Sequence, residues 1–205
     1  MIPGTRKERD MHWPATDREC AAVIWKSLDD LDGVVPLCRG RSLVVQAGGN
    51  CGVWARHLAG LFDRVLTFEP DPLNFACLVL NTAGKNVTAF PAALGDGHGW
   101  CGLDRKRGNA GAHTVRDGGS YPVMTVDSLR LPACDLLYLD IEGSEPAALR
   151  GALETIRAYR PVIAFEEKGL SEKQGSPAGS SEALLVAEGY RVVARPARDV
   201  VMVPR

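Results

Sequence analysis

The sequence contains no run of apolar residues near the roughly 18 that a membrane-spanning helix needs, so no membrane span is expected. It also lacks a charge imbalance: 24 Lys and Arg stand against 25 Asp and Glu, a formal net charge of -1. A chain this close to neutral has no general attraction for nucleic-acid phosphates or anionic lipid, and the Arg105-Lys106-Arg107 run reads as a solvated loop. Cysteine is present but unpaired in pattern. Cys20, Cys38, Cys51, Cys77, Cys101 and Cys134 form no C-x-x-C pair, so neither a zinc site nor a disulfide framework is expected, and nothing else has metal-ligand spacing. Reduced, partly buried thiols follow. Aromatic residues make up only 6% of the chain, and Trp13, Trp54 and Trp100 are expected to pack in the interior. There is no internal repeat and no low-complexity tract. Met1 to Asp10 is charged with no apolar stretch behind it, so no secretory signal is expected and the cytoplasm is the default location.

What is present fits one α/β domain with a short extension, at 205 residues, 45% hydrophobic and 24% charged. Residues 1–40 are expected to form an N-terminal helical extension. Thr16 and Glu19 have capping-box spacing there, and Cys20, Val23, Ile24, Leu28 and Leu31 recur at helical intervals up to Gly33. Residues 41–205 carry the main domain. Ser42 to Ala47 is a short, nearly continuous apolar run, as in a strand covered on both faces. Alternation then predicts a helix over Val53 to Phe62, a strand over Arg64 to Phe68, a helix over Pro72 to Thr82 and a strand over Asn86 to Phe90. Gly95 to Pro122 reads as loops with a short strand near Gly99 to Leu103, and Gly169 to Ser181 as a second polar loop. A strand over Cys134 to Asp140, a helix over Glu145 to Ala158, a strand over Pro161 to Glu166, a helix over Ser181 to Glu188 and a terminal hairpin complete the pattern. The expected architecture is a mostly parallel sheet ending in an antiparallel hairpin.

Ligand chemistry concentrates at strand ends. Gln46-Ala47-Gly48-Gly49-Asn50-Cys51-Gly52 lies where the first main strand turns into its helix, and glycine there lets backbone amides approach a ligand. The next strand ends in Phe68-Glu69-Pro70-Asp71, where a Rossmann-like fold places an acid for ribose hydroxyls. The glycine turn is shorter than the G-x-G-x-x-G of dinucleotide folds and carries Asn in its middle, which favours a cofactor without phosphates.

With these residues in view, the sequence resembles the FkbM-type methyltransferases, a class I, S-adenosylmethionine-dependent group. The resemblance runs from about Ser42 to Gly169 through VVQAGGNCG, RVLTFEPDPLNFACLVLN, AALGD, TVDSL and LYLDIEGSEPAALRGALETIRAYRPVIAFEEKG. Its most specific pieces are Glu69-Pro70-Asp71-Pro72 with Asn74, and Asp140-Ile141-Glu142-Gly143 with Glu145. The resemblance implies a Rossmann-like class I methyltransferase fold and O-methylation of a hydroxyl on a small molecule or sugar. It implies cofactor contacts from Gln46, Gly48, Gly49, Asn50, Gly52, Glu69, Pro70, Asp71, Asn74, Ala93, Leu94 and Asp140. One departure is at Gln46, where the family usually has an acid beside the cofactor's ammonium. Gln46→Asp is therefore expected to strengthen cofactor binding.

Catalytic candidates follow from strand-end position and from chemistry. Asp140 is expected near the cofactor's methionine portion and Glu142 near the acceptor, as base or hydrogen-bond partner. Glu166 is preferred over Glu167, because alternation lets only one of them face the cleft. His113, on a loop, is a further candidate base, since histidine titrates near neutrality. Two other readings stand beside methyl transfer. One is an NAD(P)-dependent oxidoreductase, permitted by Glu69 but without an evident Tyr-x-x-x-Lys pair, and the other is a cofactor-binding module that has lost catalysis, suggested by Gln46.

Overall fold

The computed structural model describes residues 3–205. The chain opens with a hairpin of β1 (Thr5–Glu8) and β2 (Met11–Pro14), followed by two short helices, α1 (Cys20–Val23) and α2 (Leu28–Val34). The hairpin was not anticipated, because four-residue strands leave little periodicity to read. It docks on the main domain through Asn81, which bonds both the N–H and the carbonyl of His12, and it buries Met11 and Trp13. The expected capping box does not form. Asp17 takes the role instead, its carboxylate accepting the N–H groups of Cys20 and Ala21.

The main domain then lays down β3 (Leu43–Ala47), α3 (Val53–Leu58), β4 (Arg64–Phe68), α4 (Pro72–Asn81), β5 (Val87–Phe90), β6 (Ala93–Leu94), β7 (Gly99–Asp104), β8 (Thr114–Asp117) and β9 (Tyr121–Met124). It continues with β10 (Leu136–Leu139), α5 (Glu145–Arg150), α6 (Leu153–Tyr159), β11 (Val162–Glu166), α7 (Ser180–Ala187), β12 (Tyr190–Ala194) and β13 (Asp199–Pro204). Seven strands form one sheet in the order β12-β13-β11-β10-β3-β4-β5, parallel from β11 to β5 and antiparallel at the terminal hairpin. This is the mostly parallel sheet with a C-terminal hairpin that the alternation predicts.

Both sheet faces are buried, which explains the continuous apolar strands. Val44, Val65, Leu136 and Tyr138 face one core with Trp54 and Leu31, whereas Leu43, Val45, Leu66, Leu137 and Leu139 face the other with Leu149 and Ile156. From β3 the chain winds outward to β4 and β5, then returns to β10 on the other side of β3. The strand order therefore reverses between β3 and β10, and a ligand crevice is expected beyond their C-terminal ends.

Four expectations are corrected. The helix after β3 stops at Leu58 rather than Phe62, with Gly60 in the turn that ends it. The single helix over Glu145 to Ala158 is two, because Asp127 starts α6 afresh, its carboxylate accepting from the N–H groups of Glu154 and Thr155. Within Gly95 to Pro122 the expected strand forms as β7, but β8 and the start of β9 are strands as well, and with β6 they make a second, four-stranded sheet of order β6-β9-β7-β8. Trp100, on β7, is 67% exposed and is not a packing residue.

Candidate functional site

A cavity of about 580 Å³ opens at the C-terminal ends of β3, β4, β10 and β11, inside the roughly 300–1,000 Å³ usual for small-molecule sites. Its β3–β4 side is made largely of backbone. Gly48 has φ +84°, and a Cβ there would lie 1.9 Å from the Asp140 carbonyl oxygen, so this turn can approach β10 only as glycine. The Gly49 N–H donates to the Phe68 carbonyl at 2.8 Å, tying the turn to the end of β4. Glu69 completes the side: its two carboxylate oxygens accept from the Asn50 N–H at 2.7 Å and the Asp71 N–H at 2.8 Å. Burial pushes the Glu69 carboxyl up to about 7, against the pull of those two N–H groups.

The neighbouring acid does a different job. Asp71 caps α4 by accepting the N–H groups of Leu73 and Asn74, and Arg105 donates to its other oxygen. Burial opposes its charge, but Arg105 and the cap more than offset that, and the Asp71 carboxyl lies below its ordinary range. Asn74 donates to the Ala110 carbonyl at 2.8 Å, while its Oδ1 is buried at the cavity wall without a partner among the described residues.

The β10–β11 side is made of charged side chains. One oxygen from each of Asp140, Glu142 and Glu166 falls within a group no wider than 4.8 Å. The Lys168 ammonium lies 2.9 Å from Glu142 and 2.7 Å from Glu166. Burial and the charge of Glu166 hold the Asp140 carboxyl well above the usual range. Burial also raises Glu142, although Lys168 opposes it. The turn that carries Glu142 is unusual. Glu142 itself has φ +55°, a left-handed conformation that L side chains adopt at a cost, and Gly143 follows at φ +104° against the Leu170 carbonyl. Glu145 fastens this turn, its carboxylate accepting from the Ile141 and Gly143 N–H groups at 2.9 Å each.

The loop between β7 and β8 closes the cavity. Asp17 accepts the Ala110 N–H, Asn74 holds the Ala110 carbonyl, and Asn109 donates to Glu19. This brings His113 to the wall, its Nδ1 3.8 Å from Asp71. Burial lowers the His113 pKa, so its ring is neutral at neutral pH. Cys20 and Asn50 meet at 3.2 Å nearby, and burial pushes the Cys20 thiol up to about 12, where it is no nucleophile.

Eleven of the sequence-predicted site residues meet on the cavity wall: Gly48, Asn50, Glu69, Pro70, Asn74, Ala93, Leu94, His113, Asp140, Glu142 and Glu166. Four do not line it. Gly49 and Gly52 support the turn from behind, packed against Leu78 of α4, and Asp71 is spent on its cap and on Arg105. Gln46 is fully buried between β3 and β4, its amide nitrogen donating to the Gly48 carbonyl at 3.0 Å and its oxygen accepting from the Thr67 hydroxyl. The basis for expecting Gln46→Asp to improve the site is therefore removed. Lys168, Arg198 and Trp54 also line the cavity and were not singled out as site residues. Lys168 carried a legible signal, since it stands two positions beyond Glu166 at the same strand end. Arg198 carried none, because only the folding back of β13 brings it to this edge.

Comparison with known proteins agrees with this geometry. The methyltransferase FkbM from Methylobacillus flagellatus KT superposes with a TM-score of 0.53 at 20% identity, over 80% of this chain and 43% of that one. This chain thus spans less than half the length of that protein. A precorrin 8w decarboxylase from Methanobacterium thermoautotrophicum gives a TM-score of 0.52 at 14% identity, over 87% of this chain and 90% of that one. The N-methyltransferase NodS from Bradyrhizobium japonicum WM9 gives 0.52 at 9% identity, over 91% and 99% of the two chains. Among curated proteins, no sequence matches. At these identities the likeness is one of fold, the Rossmann-like fold of the class I methyltransferases. The methyltransferase FkbM domain itself matches residues 47–192, which include both sides of the cavity and most of the chain, and the protein accordingly belongs to the FkbM methyltransferase domain family.

Proposed function

We propose that this protein transfers a methyl group from S-adenosylmethionine to a hydroxyl oxygen of a small molecule or sugar. The observation that carries the reading is the two-sided cavity, with a glycine turn and a buried strand-end acid facing a cluster of carboxylates across the point where strand order reverses. The residues fit the cofactor. Gly48 leaves backbone exposed where a Cβ would block it, Glu69 offers lone pairs to hydroxyl donors, and Asn74 Oδ1 lacks a partner among the described residues.

Bound there, S-adenosylmethionine supplies an electrophilic methyl carbon on a sulfonium sulfur. Glu69 would hold the ribose hydroxyls, and Asp140, beyond β10, would face the methionine portion. Glu142 would accept the proton of the acceptor hydroxyl. Burial raises the Glu142 carboxyl against the pull of Lys168, and a carboxylate raised above its ordinary value is a better proton acceptor. His113, neutral and on the opposite wall, is the second candidate for that proton. Apolar side chains, among them Ile24, Leu103 and Leu170, exclude water and keep the acceptor oxygen in line with the reacting carbon.

The test is transfer of isotopically labelled methyl from S-adenosylmethionine to a panel of sugars, hydroxylated metabolites and amines. Label on a hydroxyl oxygen is the expected result. Label confined to amines would overturn the oxygen acceptor, and no transfer despite tight cofactor binding would favour a module that has lost catalysis.

A further inference from the structure

The β10–β11 side of the cavity brings three carboxylates together with one ammonium, and the position of that ammonium is specific. Lys168 approaches Glu142 at 2.9 Å and Glu166 at 2.7 Å, and it lines the cavity with both. Its side chain is 22% exposed, while those of Glu142 and Glu166 are 11% and 8% exposed. A surface ion pair of ordinary kind would contribute little, but here the charges are largely withdrawn from water, where leaving one unpaired is costly. Three acids this close would otherwise invite a divalent cation, whose ligands are carboxylate oxygens in such a cluster. A tethered ammonium already stands against two of the three.

We propose that Lys168 is the built-in counter-ion of this cluster, a positioning residue that holds Glu142 and Glu166 toward the acceptor and takes the place a divalent cation would occupy between the three carboxylates. The proposal rests on the reading of Glu142 as the acid that faces the acceptor. In this role Lys168 acts on the acceptor through Glu142, as a positioning residue and not a catalytic one. Two features make the arrangement more than a strand-end pair. Glu142 sits on a left-handed backbone whose turn Glu145 fastens through the Ile141 and Gly143 N–H groups, so the direction in which its side chain leaves the backbone is fixed. Lys168 in turn is pinned from two sides, and Glu166 and Glu142 hold its charge above the ordinary range although burial works against it. The other charged groups facing the cluster are Asp140 beyond β10, Glu145 at the start of α5, and Arg198 and Asp199 at the start of β13. Arg198 is the only further cation among them. Loss of Lys168 therefore leaves the acids with one positive charge, that of Arg198, and several negative ones.

The experiment is a carbon-detected NMR titration of the Glu142 carboxyl in the wild-type protein, Lys168→Met and Lys168→Arg, without cofactor or acceptor. The Glu142 midpoint should rise by about one pH unit or more in Lys168→Met, a tenfold or greater change in its protonation constant, and return close to wild type in Lys168→Arg. An unchanged midpoint in a folded Lys168→Met protein overturns the proposal. Because no methyl transfer is read, this outcome is separate from failure of the enzymatic reading. A second arm needs no variant: Mn²⁺ is added to the wild-type protein and paramagnetic broadening is mapped. Broadening centred on Asp140, Glu142 and Glu166 at micromolar Mn²⁺ would show that a metal, not Lys168, is the cluster's counter-ion, whereas its absence is the expected result.

Discussion

The two sides of the cavity solve the same problem, holding a polar ligand at a sheet edge, with different materials. The β3–β4 side is fixed by backbone: a glycine turn pressed against the Asp140 carbonyl, and Glu69 gripped by two N–H groups. The β10–β11 side is fixed by charge against charge, with three carboxylates and Lys168 balanced on a strained turn. Backbone contacts gain and lose no protons and suit the unreacting parts of a ligand, although the Glu69 carboxylate that they hold does titrate. Side-chain charges can gain and lose protons, which suits the place where an acceptor must give one up. The comparison predicts that damage to the first side shows in cofactor binding and damage to the second in turnover.

The largest effect is expected where the two sides touch. Gly48→Ala places a Cβ into the Asp140 carbonyl at a left-handed φ, so it should cost about 2 kcal/mol or more of stability and abolish measurable cofactor binding in calorimetry. A variant with normal melting and affinity would show that the turn is looser than described. Next comes Glu142→Gln, which should lower turnover roughly 10²–10⁴-fold at unchanged cofactor affinity and remove the acid limb of the rate profile. Full turnover would move the search for a base to His113 or Glu166.

Glu69→Gln should weaken cofactor binding on the order of ten- to a hundredfold, because it removes a charge-assisted acceptor. Its pH dependence sharpens the assignment. The buried Glu69 carboxyl is raised from 4.5 to about 7, so its protonated form favours the fold, and ligand-free stability should fall as pH rises from about 4.5 to about 7. Hydroxyl donors favour the ionised form, so cofactor affinity should rise over the same window. Melting temperatures and titrations at several pH values should show both trends in the wild type and weaker ones in Glu69→Gln. The smallest effect on affinity is expected at Gln46→Asp. That side chain is spent on Gly48 and Thr67, so affinity should not improve, while an unpaired buried charge should cost about 1–3 kcal/mol of stability. Tighter binding in this variant would restore Gln46 to the cofactor's surroundings.

Legibility in the sequence followed the same division. Strands buried on both faces announce themselves as apolar runs, so β3, β4, β10 and β11 were placed within two residues of their observed ends, and with them the acids at those ends. Of the second sheet only β7 is legible as a strand, because β8 and β9 carry no buried residue and no apolar period marks them. Gln46 illustrates a different gap. Its position in the chain is that of a site residue, but whether its amide faces a ligand or a neighbouring Thr67 depends on strand pairing, which a single sequence does not display. Lys168 was visible as a residue and invisible as a partner, since the turn that aims Glu142 at it depends on Gly143 and on the hydrogen bonds of Glu145.

The central claim, that this cavity takes an S-adenosyl cofactor, is tested most directly by calorimetric titration of the wild-type protein with S-adenosylhomocysteine and, separately, with NAD. The account predicts saturable one-to-one binding of S-adenosylhomocysteine and none of NAD at the same concentrations. Binding of NAD with no response to S-adenosylhomocysteine would contradict it.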